Sequence, residues 1–410
     1  MQSQNYQNKN AMQLGNIHLN KTEQAKQILA MRRIEQGAID ELGIGSIRDA
    51  LADEMFPGIS TLHQHAKYFV LLPQVYQKVW EKARRIEDVS LRQVQQMIIE
   101  EEISMTRHLS KNTPNAPGIT GADSLRSNNQ FVKYDPTYIY NSALRTYGFL
   151  QLDQRTTIAS AIRSYALQWQ SRPEQMRTES ADVANDANET ISYRPFCEFP
   201  RELGYKFPEE CHLDVNFAER DYIKEHMLTA IHVRHSLLGY LLEHDEIKIE
   251  GDFFTLDRDE FPPQFRDMIH RSCEISEFVY LLFLRYNVIL SNSQDEEIVR
   301  EWEECYSRFK ENQPDIIASL FSLHSGANRL LNNSLHFVED CYHSLLKGDL
   351  NQLEDLIVSR EIAIKSGRRK INNPDFEYKM PIHHYYLSYR WETVRLMLQE
   401  LRKEDLWQKS

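Results

Sequence analysis

The stretch QFRDMIHRSCEISEFVYLLFLRYNVILS, residues 264–291, decides the fold class. Read as a helix it is apolar on most sides, the pattern of a rod surrounded by other elements rather than of a strand or a surface helix. Its longest apolar run, Phe278 to Leu290, is too short to cross a bilayer and is interrupted by Arg285 and Asn287. A buried helix of this kind needs neighbours with amphipathic faces, and the flanking sequence supplies them.

Downstream, helices are predicted at about 295–311, 314–347 with a break near Gly326, 349–366 and, amphipathic, 389–401. Upstream, helices resume at about Ala218 and run through MLTAIHVRHSLLGYLLEH (227–244), and IKIEGDFFTL (247–256) is the best hairpin signal in the chain, with Gly251 and Asp252 at its turn. Nearer the N-terminus a helix is predicted from about 23 to 36. Gly43 and Gly45 then make a turn, and Ser46 is placed as N-cap of the helix IRDALADEM. Ser60 and Thr61 are placed to cap a long helix through 85 that Pro73 should kink, and Ser90 to cap one reaching about Leu109. The Asn-, Pro- and Gly-loaded stretch 111–130 reads as a long loop. Pro136 then opens a helix that Gly148 closes, and another runs to about Gln170.

Composition agrees with a mainly α fold. Only 14 Gly and 14 Pro punctuate 410 residues, too few for the many turns of an all-β chain. At this length two packed helical domains with at most a small β-hairpin are expected: a flexible tail at 1–20, an N-terminal domain at 21–172, a polar linker or insertion at 173–198 and a C-terminal domain at 199–410. Five scattered cysteines without a CxxC pair, and an opening segment that lacks an apolar stretch, lead to the expectation of a cytoplasmic protein with no membrane partner. The net charge of -12 opposes a dedicated nucleic-acid coat protein but leaves room for local basic clusters.

Candidate chemistry is sparse. Asp267 with His270 and Asp340 with His343 each place an acid and an imidazole on one helix face, and His232 with His235 forms a similar pair. Di-metal bundles use Glu in that step and add further carboxylates, so ordinary helix-packing histidines explain these pairs better, and no metal or cofactor is expected. Asp245, Glu246 and Lys248 faintly resemble a nuclease core, though alternating charges on an exposed strand explain them better. The glycines of GIG (43–45) and GITGAD (118–123) lack the surroundings of a phosphate cradle. The strongest basic cluster lies in SREIAIKSGRRKI, where Arg360, Lys365, Arg368, Arg369 and Lys370 fall within eleven residues. These five are the candidate nucleic-acid-binding residues, against the alternative that they complement a helix C-terminus near Gly367.

The blocks DELGIGSIRDALADEMFPGISTLHQHAKYFVLLPQVY, GADSLRSNNQFVKYDPTYIYNSALRTYGF, LLFLRYNVIL, SREIAIKSGRRKI and LSYRWETVRLML, in that order, resemble an uncharacterised prokaryotic family of unknown function. Its members resemble accessory proteins of anti-phage defence gene clusters. The resemblance implies a non-catalytic accessory or scaffold subunit whose partners are the other proteins of a defence complex, with DNA or RNA as a further partner. It supplies no catalytic residues. The alternative expectation is a metal-dependent nuclease or another nucleic-acid-acting hydrolase.

Overall fold

The computed structural model describes residues 40–153, 155–171, 196–197, 205–322 and 329–402. The expected tail at 1–20, the helix at 23–36, most of the 173–198 linker and the break near Gly326 lie outside the described residues. Among the described residues the fold is mainly α, with fifteen α-helices and no β-strand; Leu150 and Cys197 form an antiparallel bridge.

The apolar stretch forms α10 (Pro263–Leu290), in which 17 of 28 residues are buried. It packs against α11 (Glu296–Asn312), α12 (Ile316–Ser322) and α14 (Leu350–Lys365). Helix α13 (Arg329–Lys347) lies on α14 and on α1 (Gly45–Met55). A second set of contacts centres on α2 (Tyr68–Ala83), which meets α3 (Leu91–Asn112), α5 (Pro136–Thr146) and α6 (Ile158–Gln170). Short α4 (Ala122–Asn128) lies on α3; between the two sets in the chain come α7 (Phe217–Thr229), α8 (Ile231–Arg234) and α9 (Leu237–Glu243), and α15 (Trp391–Leu401) closes against α7 and α9.

The polar residues of α10 explain how an otherwise apolar rod specifies its surroundings. Ser272, Ser276, Tyr280, Phe283 and Asn287 recur at helical spacing on one face, and that face holds the segment 382–389. The Asn287 amide accepts from Ile382 N at 2.8 Å and donates to Ile382 O at 2.8 Å. Ser276 Oγ accepts from Leu387 N at 2.7 Å, and the Tyr389 hydroxyl donates to Ser272 O at 2.6 Å. Buried side-chain amides and hydroxyls thereby satisfy a backbone that has no strand or helix to pair with.

Several local expectations are corrected. The 247–256 hairpin does not form: the stretch stays without a partner strand and enters a 3₁₀ turn at Phe253–Thr255. The alternation read from the sequence is real, since Ile247 and Ile249 are buried and Lys248 and Glu250 exposed, but side chains take the place of a second strand. Arg402 donates to Ile247 O and Trp391 Nε1 to Gly251 O. Ser46 is not the cap of α1; the Asp40 carboxylate accepts from Ile44 N at 2.9 Å and Gly45 N at 2.7 Å instead. Helix α2 begins at Tyr68, not behind Ser60 and Thr61, because 60–67 forms turns in which Ser60 Oγ takes the Leu62 amide. The expected 111–130 loop contains α4, entered through Gly121 at φ +81°. The helices expected from about 218 to 244 are three, α7, α8 and α9.

Candidate functional site

Segment 40–46, α13, α14 and the 383–387 segment enclose a cleft of about 540 Å³, within the range of small-ligand and peptide-side-chain pockets. Phe283, Ile364, Tyr385 and Leu387 give it apolar walls, and Ser46, Ser334 and Arg360 give it polar ones. The turn at Gly43 makes the close packing feasible. Its φ is +64°, and a Cβ there would stand 2.7 Å from Ile364 Cδ1 and 2.9 Å from Arg360 Nη2.

The charged groups of the walls are committed to one another. Arg360 donates through Nε to Leu42 O at 2.9 Å and through Nη2 to Ser334 Oγ at 3.0 Å, with its guanidinium 5.1 Å from the Phe337 ring centre. Arg48 pairs with Asp49 at 3.0 Å. Behind the cleft, buried Glu41 receives Lys370 on one oxygen and His383 Nε2 on the other, the latter at 2.6 Å. Burial pushes the Glu41 carboxyl up, but the hydrogen bonds and charges of His383 and Lys370 outweigh it and hold the group below its ordinary range. The other ring nitrogen of His383, Nδ1, lies 2.7 Å from the Tyr385 hydroxyl. Phenol, imidazole and carboxylate therefore stand in series at the cleft wall.

A second buried carboxylate fixes the chain next to this group. Glu361 accepts from the Tyr286 hydroxyl at 2.8 Å, Lys370 N at 2.8 Å and Ile371 N at 3.0 Å. The five basic residues singled out in the sequence thus separate. Arg360 and Lys370 turn inward onto carbonyls and Glu41, and Lys365 is buried, its ammonium pKa lowered by that burial. Arg368 is exposed and Arg369 half-buried, just past the end of α14.

The sequence's other candidates do not assemble. His232, His235, Asp267, His270, Asp340 and His343 are all exposed. Asp245 pairs with Lys224 and Glu246 with His244. Among the described residues no three His, Cys, Asp or Glu are grouped to hold a metal ion. Also among the described residues, no helix is long and apolar enough to cross a membrane. Sequence reasoning missed Glu41, His383 and Tyr385; His383 lies 342 positions from Glu41, and no local motif links them.

Outside the cleft, a deeply buried ion pair joins Lys67 to Glu219, with Nζ at 2.7 Å from both carboxylate oxygens and at 2.8 Å from Asp214 O. The Tyr205 hydroxyl donates to the same carboxylate at 3.0 Å. Every donor of this ammonium is satisfied, which makes it a tie between the start of α2 and the start of α7.

Compared with known proteins, residues 14–168 match the model of a family of unknown function (DUF6361). That region contains the 40–49 wall of the cleft, and the α13, α14 and 383–387 walls lie beyond it. No curated protein and no solved structure matches the chain.

Proposed function

We propose that the protein is a non-catalytic accessory subunit of a bacterial anti-phage defence assembly, and that the cleft and its rim receive a partner protein of that assembly. One observation carries the docking part: of the eleven large apolar side chains left exposed among the described residues, five (Ile362, Ile364, Met380, Tyr385 and Tyr386) come from 362–386. Ile364 and Tyr385 line the cleft itself. Exposed Met and Tyr, with exposed Arg368 in the same stretch of chain, match the composition that protein interfaces favour. The donors that would stabilise a developing negative charge are engaged elsewhere, since Asp40 takes the first amides of α1 and carbonyls take Arg360. That favours recognition over bond-making chemistry. The defence role rests on the ordered sequence blocks that resemble accessory proteins of such clusters, and a contact to DNA or RNA through Arg368 and Arg369 belongs to the same reading.

The series Tyr385–His383–Glu41 favours a second reading, a hydrolase in which Tyr385 gives or takes a proton. Co-expression with the products of neighbouring genes separates the two. The accessory reading expects a co-purifying partner that is lost with Ile364→Glu and kept with His383→Gln. Turnover of a nucleic acid or ester substrate that disappears with His383→Gln would replace it.

A further inference from the structure

Around the N-terminus of α5 the chain exposes two aromatic rings side by side. Tyr134 and Tyr138 are 51% and 62% exposed, with ring centres 5.0 Å apart and planes inclined by 33°. Large aromatic rings are rarely left in water as neighbours without a partner. Their spacing of four follows from the turn between them: Asp135 is the N-cap, accepting from Tyr138 N at 2.7 Å, and Pro136 fills the first helical position. The turn is held from below as well. Thr137 N donates at 2.7 Å to Glu102, a carboxyl with no exposure, and the Tyr76 and Thr137 hydroxyls are 3.1 Å apart. The pair is therefore displayed on a braced surface.

A cation stands beside the rings. The Lys133 ammonium stands 5.5 Å from the Tyr134 ring centre. Arg107 is exposed and reaches the Asn129 amide at 3.2 Å, and Arg126 is exposed on α4. Asp123 and Arg126 offset each other as an exposed ion pair and Asp135 keeps its charge while it caps α5, which leaves Lys133 and Arg107 as the cations for a ligand at this face.

We infer that Tyr134 and Tyr138 form a stacking platform for unpaired bases of a single-stranded nucleic acid, with Lys133 and Arg107 meeting its phosphates. Adjacent π faces accept bases of any sequence, and flanking cations track the backbone, which is the general chemistry of strand binding. A duplex hides its base faces, so single strands are the matching ligand. This site goes beyond the partner-docking reading and shares no residue with the cleft.

The test uses the full chain and a short fluorescein-labelled oligodeoxythymidylate, followed by fluorescence anisotropy, with a duplex of equal length as competitor. Binding is expected to weaken with rising salt, and Tyr134→Ala with Tyr138→Ala to reduce affinity by about tenfold or more. Tyr134→Phe with Tyr138→Phe, which keeps the π faces, should retain it. No strand binding at low salt, preference for the duplex, or unchanged affinity in the double-alanine variant would each overturn the inference. Binding lost with Arg368→Glu and Arg369→Glu but kept in the double-alanine variant would also overturn it, placing the contact on the basic segment instead. Partner co-purification is expected to survive the tyrosine changes, so failure here and failure of the docking proposal can be told apart.

Discussion

Replacing Glu102 by Gln should stabilise the protein at neutral and higher pH, and the size of the gain follows from the carboxyl's surroundings. Burial, with a smaller contribution from the charge of Asp135, pushes its pKa from 4.5 up to about 8 against the lowering effect of the Thr137 hydrogen bond. Its second oxygen has no hydrogen-bond partner. The folded protein therefore holds this proton at pH 7, whereas the unfolded chain releases it. A group whose pKa is raised on folding gives its full stability below the unfolded value and loses it as pH climbs to the folded one, here between about 4.5 and 8. The slope is about 1.4 kcal/mol per pH unit, so the wild type forgoes about 3 kcal/mol by pH 7. Glutamine keeps an acceptor for Thr137 N and has no charge to ionise. Urea unfolding of both proteins at several pH values from 5 to 8 should give nearly equal stabilities at the acid end and a gap that widens in favour of Glu102→Gln. A gap that stays constant, or narrows as pH rises, would refute the assignment of a neutral buried carboxyl beneath α5.

Glu41→Gln should destabilise the protein by about 2 to 3 kcal/mol, below the full cost of breaking a wholly buried pair because Lys370 keeps some contact with water. Since the Glu41 carboxyl is held below its ordinary value, the wild type's advantage is present above about pH 4.5 and fades as pH falls through the depressed value, which acid titration of both proteins by circular dichroism checks. Lys67→Met should cost about 3 to 5 kcal/mol by leaving the Glu219 charge buried without its cation, and adding Glu219→Gln should recover part of that loss in denaturant titrations.

How much could be read from residues alone varies with the range of the interactions involved. Helix α10 was legible because its apolar pattern extends over seven turns and needs no partner to be recognised. The Ser90 cap was legible because its partner Gln93 lies three residues on, and the start at Pro136 because the ring itself fixes the first helical position. The 247–256 stretch misled because period-two alternation reports which side chains are buried, not what pairs with the backbone, and here Arg402 and Trp391 donate to its carbonyls in place of a second strand. The basic segment misled in a similar way. Five cations in eleven residues read as one surface, yet the acceptors of two of them, Leu42 O for Arg360 and Glu41 for Lys370, come from the far end of the chain. The cleft was illegible for the same reason, since segment 40–46 meets α13, α14 and 383–387 only through tertiary contacts. The tyrosine pair sits between, because Lys133, Tyr134 and Tyr138 are visible in sequence, but only coordinates show that both rings face water.

The docking face is tested most directly by hydrogen–deuterium exchange on the full chain, alone and with its co-purified partner. Slowed exchange confined to 43–48, 360–368 and 383–387 on partner addition is the expected result. Unchanged exchange in those three stretches, with protection appearing elsewhere in the chain, would contradict the placement of the partner in the cleft.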